Sequence, residues 1–126
     1  MSDGLGRFAY GVEKIEKPWG HELIWALAED YCGKILFVRA GESLSLQYHE
    51  AKDESWYVLD GRAELELGPV AGELDRGIIE PGDAFRFRPG TVHRVTAFED
   101  TRILEVSTPH LEDVVRLEDR YGRASL

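Results

Sequence analysis

The chain holds one cysteine, one methionine and five prolines in 126 residues, and each scarcity closes a route. Cys32 has no partner for an internal disulfide, so a packed core must hold the domain, and a lone thiol fits a reducing compartment. No apolar run approaches a membrane span; the longest candidate, Ile35 to Val38, is strand length, and no membrane partner is expected. The opening residues Met1 to Arg7 lack the apolar stretch of a secretory leader, which leads to an expected cytoplasmic location. Basic clusters are missing as well. Fifteen Lys and Arg against 24 Asp and Glu leave a net charge of −9, which argues against nucleic acid as a partner. A small anion is still compatible, because a few cations in a pocket hold one phosphate whatever the global charge. Helical periodicity is scarce: only Leu111 to Arg116 reads as helical, giving a short C-terminal helix.

What the chain has instead is punctuation. Thirteen glycines, helped by Pro69, Pro81 and Pro89, divide it into short alternating or apolar segments. Strands are expected at 21–26, 33–39, 43–49, 54–59, 62–67, 83–87, 93–97 and 102–106, with Asp60 and Gly61 as a hairpin turn. Residues 1–16 read as a loose lead-in and 17–126 as one domain, a length that suffices for a self-supporting core. Many evenly spaced strands make the class all-β, a sandwich or jelly roll.

Two of these segments carry chemistry. From Ser43 to His49 the alternation puts Ser45, Gln47 and His49 on one face, and Glu54 opens the next strand. His93 begins another strand after the Pro89–Gly90 turn. A divalent metal takes imidazole nitrogens and carboxylate oxygens converging from separate strands, and Gln47, His49, Glu54 and His93 are residues of that kind. His21 and His110 stand outside this set and read as surface residues. Leu44, Leu46 and Tyr48 alternate away from the ligands, so a second subunit is expected to cover them, giving a homodimer.

The spacing of Gly41, His49, Glu54 and Gly61, followed by Gly82, Gly90 and His93, resembles the two motifs of the cupin superfamily, with Gln47 in place of the usual first histidine. Arg88 and Ala97 depart from the second motif, where proline and asparagine are usual. The resemblance implies a single-domain cupin jelly-roll β-barrel with the metal inside. Segments 17–20, 41–49, 54–56, 90–94 and 112–123 further resemble the isomerase domain of type II mannose-6-phosphate isomerases. That likeness implies a zinc ion held by Gln47, His49, Glu54 and His93, with iron, manganese, cobalt or nickel as alternatives. It also implies aldose–ketose interconversion of a sugar phosphate through a cis-enediol. Lys34, Lys52 or a metal-bound water are then the candidate bases, and Arg88, Arg94, Arg120 and Arg123 the candidate phosphate ligands. Where that family usually has arginine, Lys52 keeps the charge but lacks the planar fork, and two nearby histidines are absent. Two other readings stand beside this one: a cupin oxygenase with a redox metal, and a non-catalytic carbohydrate-binding cupin.

Overall fold

A computed structural model describes residues 4–70 and 72–124. A single 3₁₀ turn, Gly4–Phe8, precedes eleven strands: β1 (Glu13–Lys17), β2 (Gly20–Leu27), β3 (Cys32–Val38), β4 (Leu46–Tyr48), β5 (Glu54–Asp60), β6 (Ala63–Pro69), β7 (Asp75–Ile79), β8 (Ala84–Phe87), β9 (Thr91–Ala97), β10 (Thr101–Ser107) and β11 (Val115–Glu118). They form two antiparallel sheets, one in the order β1-β2-β3-β10-β5-β8 and one in the order β11-β4-β9-β6-β7. β1 straddles the expected boundary at residue 17 and pairs along its whole length with β2.

The alternation of each strand decides which side chains lie between the sheets. On β10, Ile103 and Glu105 are buried while Arg102 and Val106 are exposed, the period-2 pattern of a strand with one face on the core. The core joins Val38, Trp56, Val58 and Ile103 of the first sheet to Leu65, Val95 and Ala97 of the second. Trp56 meets Phe87 edge to face at 4.9 Å between ring centroids, a favoured aromatic geometry that fixes one end of this core.

Four expectations need correction. The closed barrel is replaced by two open sheets: no ladder joins edge strand β8 to edge strand β7 or closes the other side among the described residues. The expected hairpin at Asp60 and Gly61 is instead a crossing, since β5 belongs to one sheet and β6 to the other. Gly61 alone of the pair has positive φ, +92°, and a Cβ there would lie 2.4 Å from Thr101 Oγ1 and 2.5 Å from the Asp100 carbonyl. Close backbone approach, and not hairpin twist, is therefore what selects glycine. The expected C-terminal helix is also absent, and no α-helix occurs among the described residues. Residues 115–118 pair with β4 as β11, with Val115 opposite Tyr48 and Arg116 opposite Gln47. A window this short gains little from helical hydrogen bonds, whereas pairing covers the edge of the strand that carries Gln47. Of the three residues expected to need a second subunit, Leu44 and Leu46 are buried within the one chain, Leu44 in the core, and Tyr48 is half-buried opposite Val115, so they form no open apolar face.

Candidate metal centre

Neighbouring strands bring the site together. Gln47 on β4 lies directly opposite His93 on β9. Glu54 begins β5 in the facing sheet, and His49 follows β4 in the loop that leads to it. His49, Glu54 and His93 are all buried, and one ligand atom from each lies within 4.8 Å of the others. His93 Nε2 is 2.9 Å and His49 Nε2 3.5 Å from the same Glu54 oxygen, Oε1. Phe87 stacks on the His93 ring at 4.5 Å and Trp56 meets its edge, which restricts the ring's rotation.

The orientation of both imidazoles is set by their other nitrogens. His93 Nδ1 donates to the Thr91 carbonyl at 3.0 Å, and His49 Nδ1 donates to the Asp113 carbonyl. In the neutral ring this tautomer leaves Nε2 as a bare lone pair, and both point at the Glu54 carboxylate. The distances are short, yet neither Nε2 nor either Glu54 oxygen has an aligned hydrogen bond although all are buried. Lys52 answers the charge of Glu54 at Oε2, whereas the two Nε2 lone pairs converge on Oε1, an arrangement that is costly in a buried space unless a cation lies among them, so the donor set fits a divalent metal. Gln47 lines the same cavity with its Oε1 2.6 Å from Ser45 Oγ, which donates to it.

The cavity has about 590 Å³ of empty space including its open mouth, and Lys17, Lys34, Lys52, Arg116 and Arg123 face it together with Glu22, Glu54, Glu105 and Asp113. Lys52 Nζ bridges Glu54 Oε2 at 2.9 Å and Glu105 Oε2 at 3.2 Å. Burial works to lower its pKa, but the Glu105 and Glu54 carboxylates outweigh burial and hold it well above the usual lysine range. Lys34 Nζ lies 3.2 Å from Glu22 Oε1. Burial, reinforced by the nearby Glu54, raises the Glu105 pKa despite the two lysines and the Trp56 N–H.

Of the four arginines expected at a phosphate, Arg123 lines the cavity and is clamped by Asp119, with Nε and Nη2 each 2.9 Å from a carboxylate oxygen. Arg94 pairs with Glu66 and Glu118, Arg120 donates to the Gly41 carbonyl, and Arg88 is exposed at the end of β8. Asp113 escaped the sequence reading altogether. Its Oδ1 accepts from the Glu50 N–H at 2.9 Å, and its Oδ2 accepts from Ala51 and Lys52 at 2.7 and 2.9 Å, pinning the loop between His49 and Glu54. Nothing in its neighbourhood along the chain marks it. Glu105 was also missed, although its place between buried Ile103 and Ser107 on an alternating strand puts it on the inner face.

Residues 35–107 match the profile of the Cupin domain family. The chain is 33% identical over 126 residues to the mannose-1-phosphate guanylyltransferase ManC of Salmonella typhimurium, covering 94% of this chain and 25% of that protein. The matching part is the C-terminal cupin domain of such enzymes, and the chain spans about a quarter of the length of the curated relatives it matches. Among solved structures, KdgF from Halomonas sp. superposes with a TM-score of 0.64 at 27% identity, covering 80% of this chain and 89% of that one. An oxalate decarboxylase of Lactobacillus farciminis superposes with a TM-score of 0.72 at 18% identity, covering 84% and 33%, a likeness of fold alone.

Proposed function

Because the chain belongs to the cupin family, with a buried His–Glu–His cluster suited to a divalent metal, we propose that it is a metal-dependent aldose–ketose isomerase acting on a hexose phosphate. The observation that carries this reading is the convergence of two bare Nε2 lone pairs on a buried carboxylate, inside a cavity that also holds several cations. The guanylyltransferases among its relatives are named for mannose 1-phosphate, and mannose 6-phosphate with fructose 6-phosphate is accordingly the first pair to test. Gln47 is proposed as the fourth ligand beside His49, Glu54 and His93, and zinc as the ion.

A bound dication in this position supplies Lewis-acid polarisation of the substrate's oxygens. The protein's own contribution is orientation and charge. Lys52 is held in its ammonium form by Glu105 and Glu54, and Lys34 is paired with Glu22, so both side chains offer positive charge to a developing oxyanion. Arg123, which lines the cavity with its guanidinium held by Asp119, is proposed as the phosphate ligand. The net reaction moves the C2 proton to C1 and the O2 hydroxyl proton to O1, so that the sugar's composition and charge are unchanged.

The test is elemental analysis of the purified protein followed by a coupled assay on hexose 6-phosphates. His93→Ala should lower metal content and turnover together. Metal-replete protein that turns over no hexose phosphate refutes the isomerase reading, whereas protein that takes up no divalent metal refutes the site as well.

A further inference from the structure

Arg116 is not one of the four arginines that the sequence offers for a phosphate, yet strand register brings it to the cavity. On β11 it lies opposite Gln47, which in turn lies opposite His93, so the three share one row across three adjacent strands. Directly opposed residues present their side chains to the same side of a sheet, and neighbouring strands lie ~4.8 Å apart. Arg116 therefore enters the cavity one strand beyond Gln47, its backbone roughly 10 Å from that of His93.

The turn after β11 brings a second guanidinium to the same cavity. Asp119 accepts from the Arg123 backbone N–H at 2.6 Å and from Nε and Nη2 at 2.9 Å each, while Nη1 takes no part in that pair. Tyr121 anchors the turn. Its hydroxyl donates to Glu42, its ring packs against the core, and the Arg123 guanidinium lies 5.6 Å from the ring's centre. The two arginines stand close enough to oppose each other: burial first, and Arg123 second, push the Arg116 pKa down, against Asp119 and Glu22.

Acids are outnumbered here. Four cations of this cavity, Lys17, Lys34, Arg116 and Arg123, stand against two acids, Asp119 on Arg123 and Glu22 at 3.2 Å from Lys34 and 4.0 Å from Lys17, which leaves two positive charges over. Lys52 adds nothing to that excess, being taken up by Glu54 and Glu105. Holding like charges together is costly, and an anion of matching charge between them relieves the cost. The chain as a whole carries −9, so the local excess marks one place for an anion on a molecule that otherwise repels it.

We propose that Arg116 and Arg123 form a two-guanidinium clamp for a phosphate dianion on the substrate, and that Arg116 is the residue that selects a phosphorylated sugar over a neutral one. A phosphomonoester carries about −1.5 to −2 charges at neutral pH and offers three oxygens to two planar forks, whereas a carboxylate offers a single charge. Held there, the rest of the sugar is directed along the row through Gln47 toward His93. The proposal rests on the sugar-phosphate reading for its ligand and adds to it the residue that recognises the phosphate.

Isothermal titration of the metal-loaded chain with mannitol 6-phosphate, which has no carbonyl to isomerise, reads the clamp without turnover. Wild type should bind it at least ~100-fold more tightly than mannitol. Arg116→Gln and Arg123→Gln should each weaken binding by roughly 10–100-fold with metal content unchanged, and Arg116→Lys, which keeps the charge without the fork, should fall between Arg116→Gln and wild type. Arg62→Gln, which removes an exposed partner of Glu80 outside the cavity, should bind as wild type does. Should Arg116→Gln lower Tm, Arg116→Lys carries the comparison. Equal affinity of wild type for mannitol and mannitol 6-phosphate would overturn the clamp with no substitution needed. Wild-type affinity in a folded Arg116 variant would overturn it too, as would mannonate bound as tightly as the phosphate and weakened by the same substitutions, the mark of a carboxylate site. Phosphate-dependent binding that both arginine variants lose, in a protein that turns over no hexose phosphate, would leave the clamp standing and refute the isomerase reading alone.

Discussion

Asp113→Ala should damage the metal centre without touching a ligand side chain. The substitution removes a carboxylate that accepts hydrogen bonds from the N–H groups of Glu50, Ala51 and Lys52, at 2.9, 2.7 and 2.9 Å. Hydrogen bonds to a charged group contribute about 1.5–3 kcal/mol each when buried. Glu50 and Ala51 are exposed, so their N–H groups recover most of that from water, whereas Lys52 is buried and recovers little. The expected loss is therefore about 2–4 kcal/mol, mostly from Lys52 with small residues from the other two. At this chain length about 1 kcal/mol moves Tm by roughly 3–5 °C, so a fall on the order of 10 °C is expected by differential scanning calorimetry. The same loop carries His49 and leads into Glu54, and loss of a residue that positions ligands weakens metal affinity by roughly 10–100-fold. Asp113→Asn, which keeps one acceptor oxygen, should fall between wild type and Ala in both measurements. If Asp113→Ala changed neither Tm nor metal affinity, the loop would be held by something other than this carboxylate, and the account of how His49 is positioned would be wrong.

Acid should act on the same contact. Burial alone would raise the Asp113 pKa, but the three backbone donors outweigh it and hold the carboxyl below its usual range. A carboxyl depressed in the folded state contributes its stability at pH above the unfolded pKa and loses it as pH falls through the folded one. Wild type should therefore lose stability more steeply than Asp113→Ala as pH drops below the ordinary carboxylate range, as followed by circular dichroism. Glu105→Ala should cost about 3–5 kcal/mol in denaturant titration, because it strips Lys52 of one of two buried counter-charges and leaves the Trp56 N–H without its acceptor; a loss under about 1 kcal/mol would show that Lys52 is satisfied by Glu54 alone. Gly61→Ala should destabilise by at least about 1–3 kcal/mol, since the new Cβ meets backbone and Thr101 at a φ of +92°; an unchanged midpoint would mean that the crossing between sheets relaxes freely.

The members of the buried His49, Glu54 and His93 cluster were legible in the sequence because their signal is local. His49 and Glu54 belong to one short stretch bounded by glycines, and period-2 alternation assigns Gln47 and His49 to one side before any tertiary contact exists. The strands themselves were legible for the same reason, since each announces its buried face by its own composition, as β10 does. What the sequence left undecided is which strand lies beside which. Asp60 and Gly61 look like a hairpin turn in any local reading, yet they carry the chain between sheets, because β5 finds its partners in β8 and β10. Residues 111–116 look helical by periodicity, yet 111–114 form a turn and its irregular continuation while Val115 and Arg116 enter a ladder with β4, because a segment so short gains little from one helical turn of its own. Asp113 has no signature at all. Its role arises only when the chain returns across more than sixty residues to meet the loop after His49, and its one-way value as an acceptor exists only there. The outer face of the six-stranded sheet is a product of the same kind. Leu23, Ile35, Leu104 and Tyr57 are ordinary strand residues one at a time, and only the register of four strands lines them into a surface. Alternation along a strand is a property of the backbone and can be read from the chain, whereas register between strands is settled by the packing of all of them together.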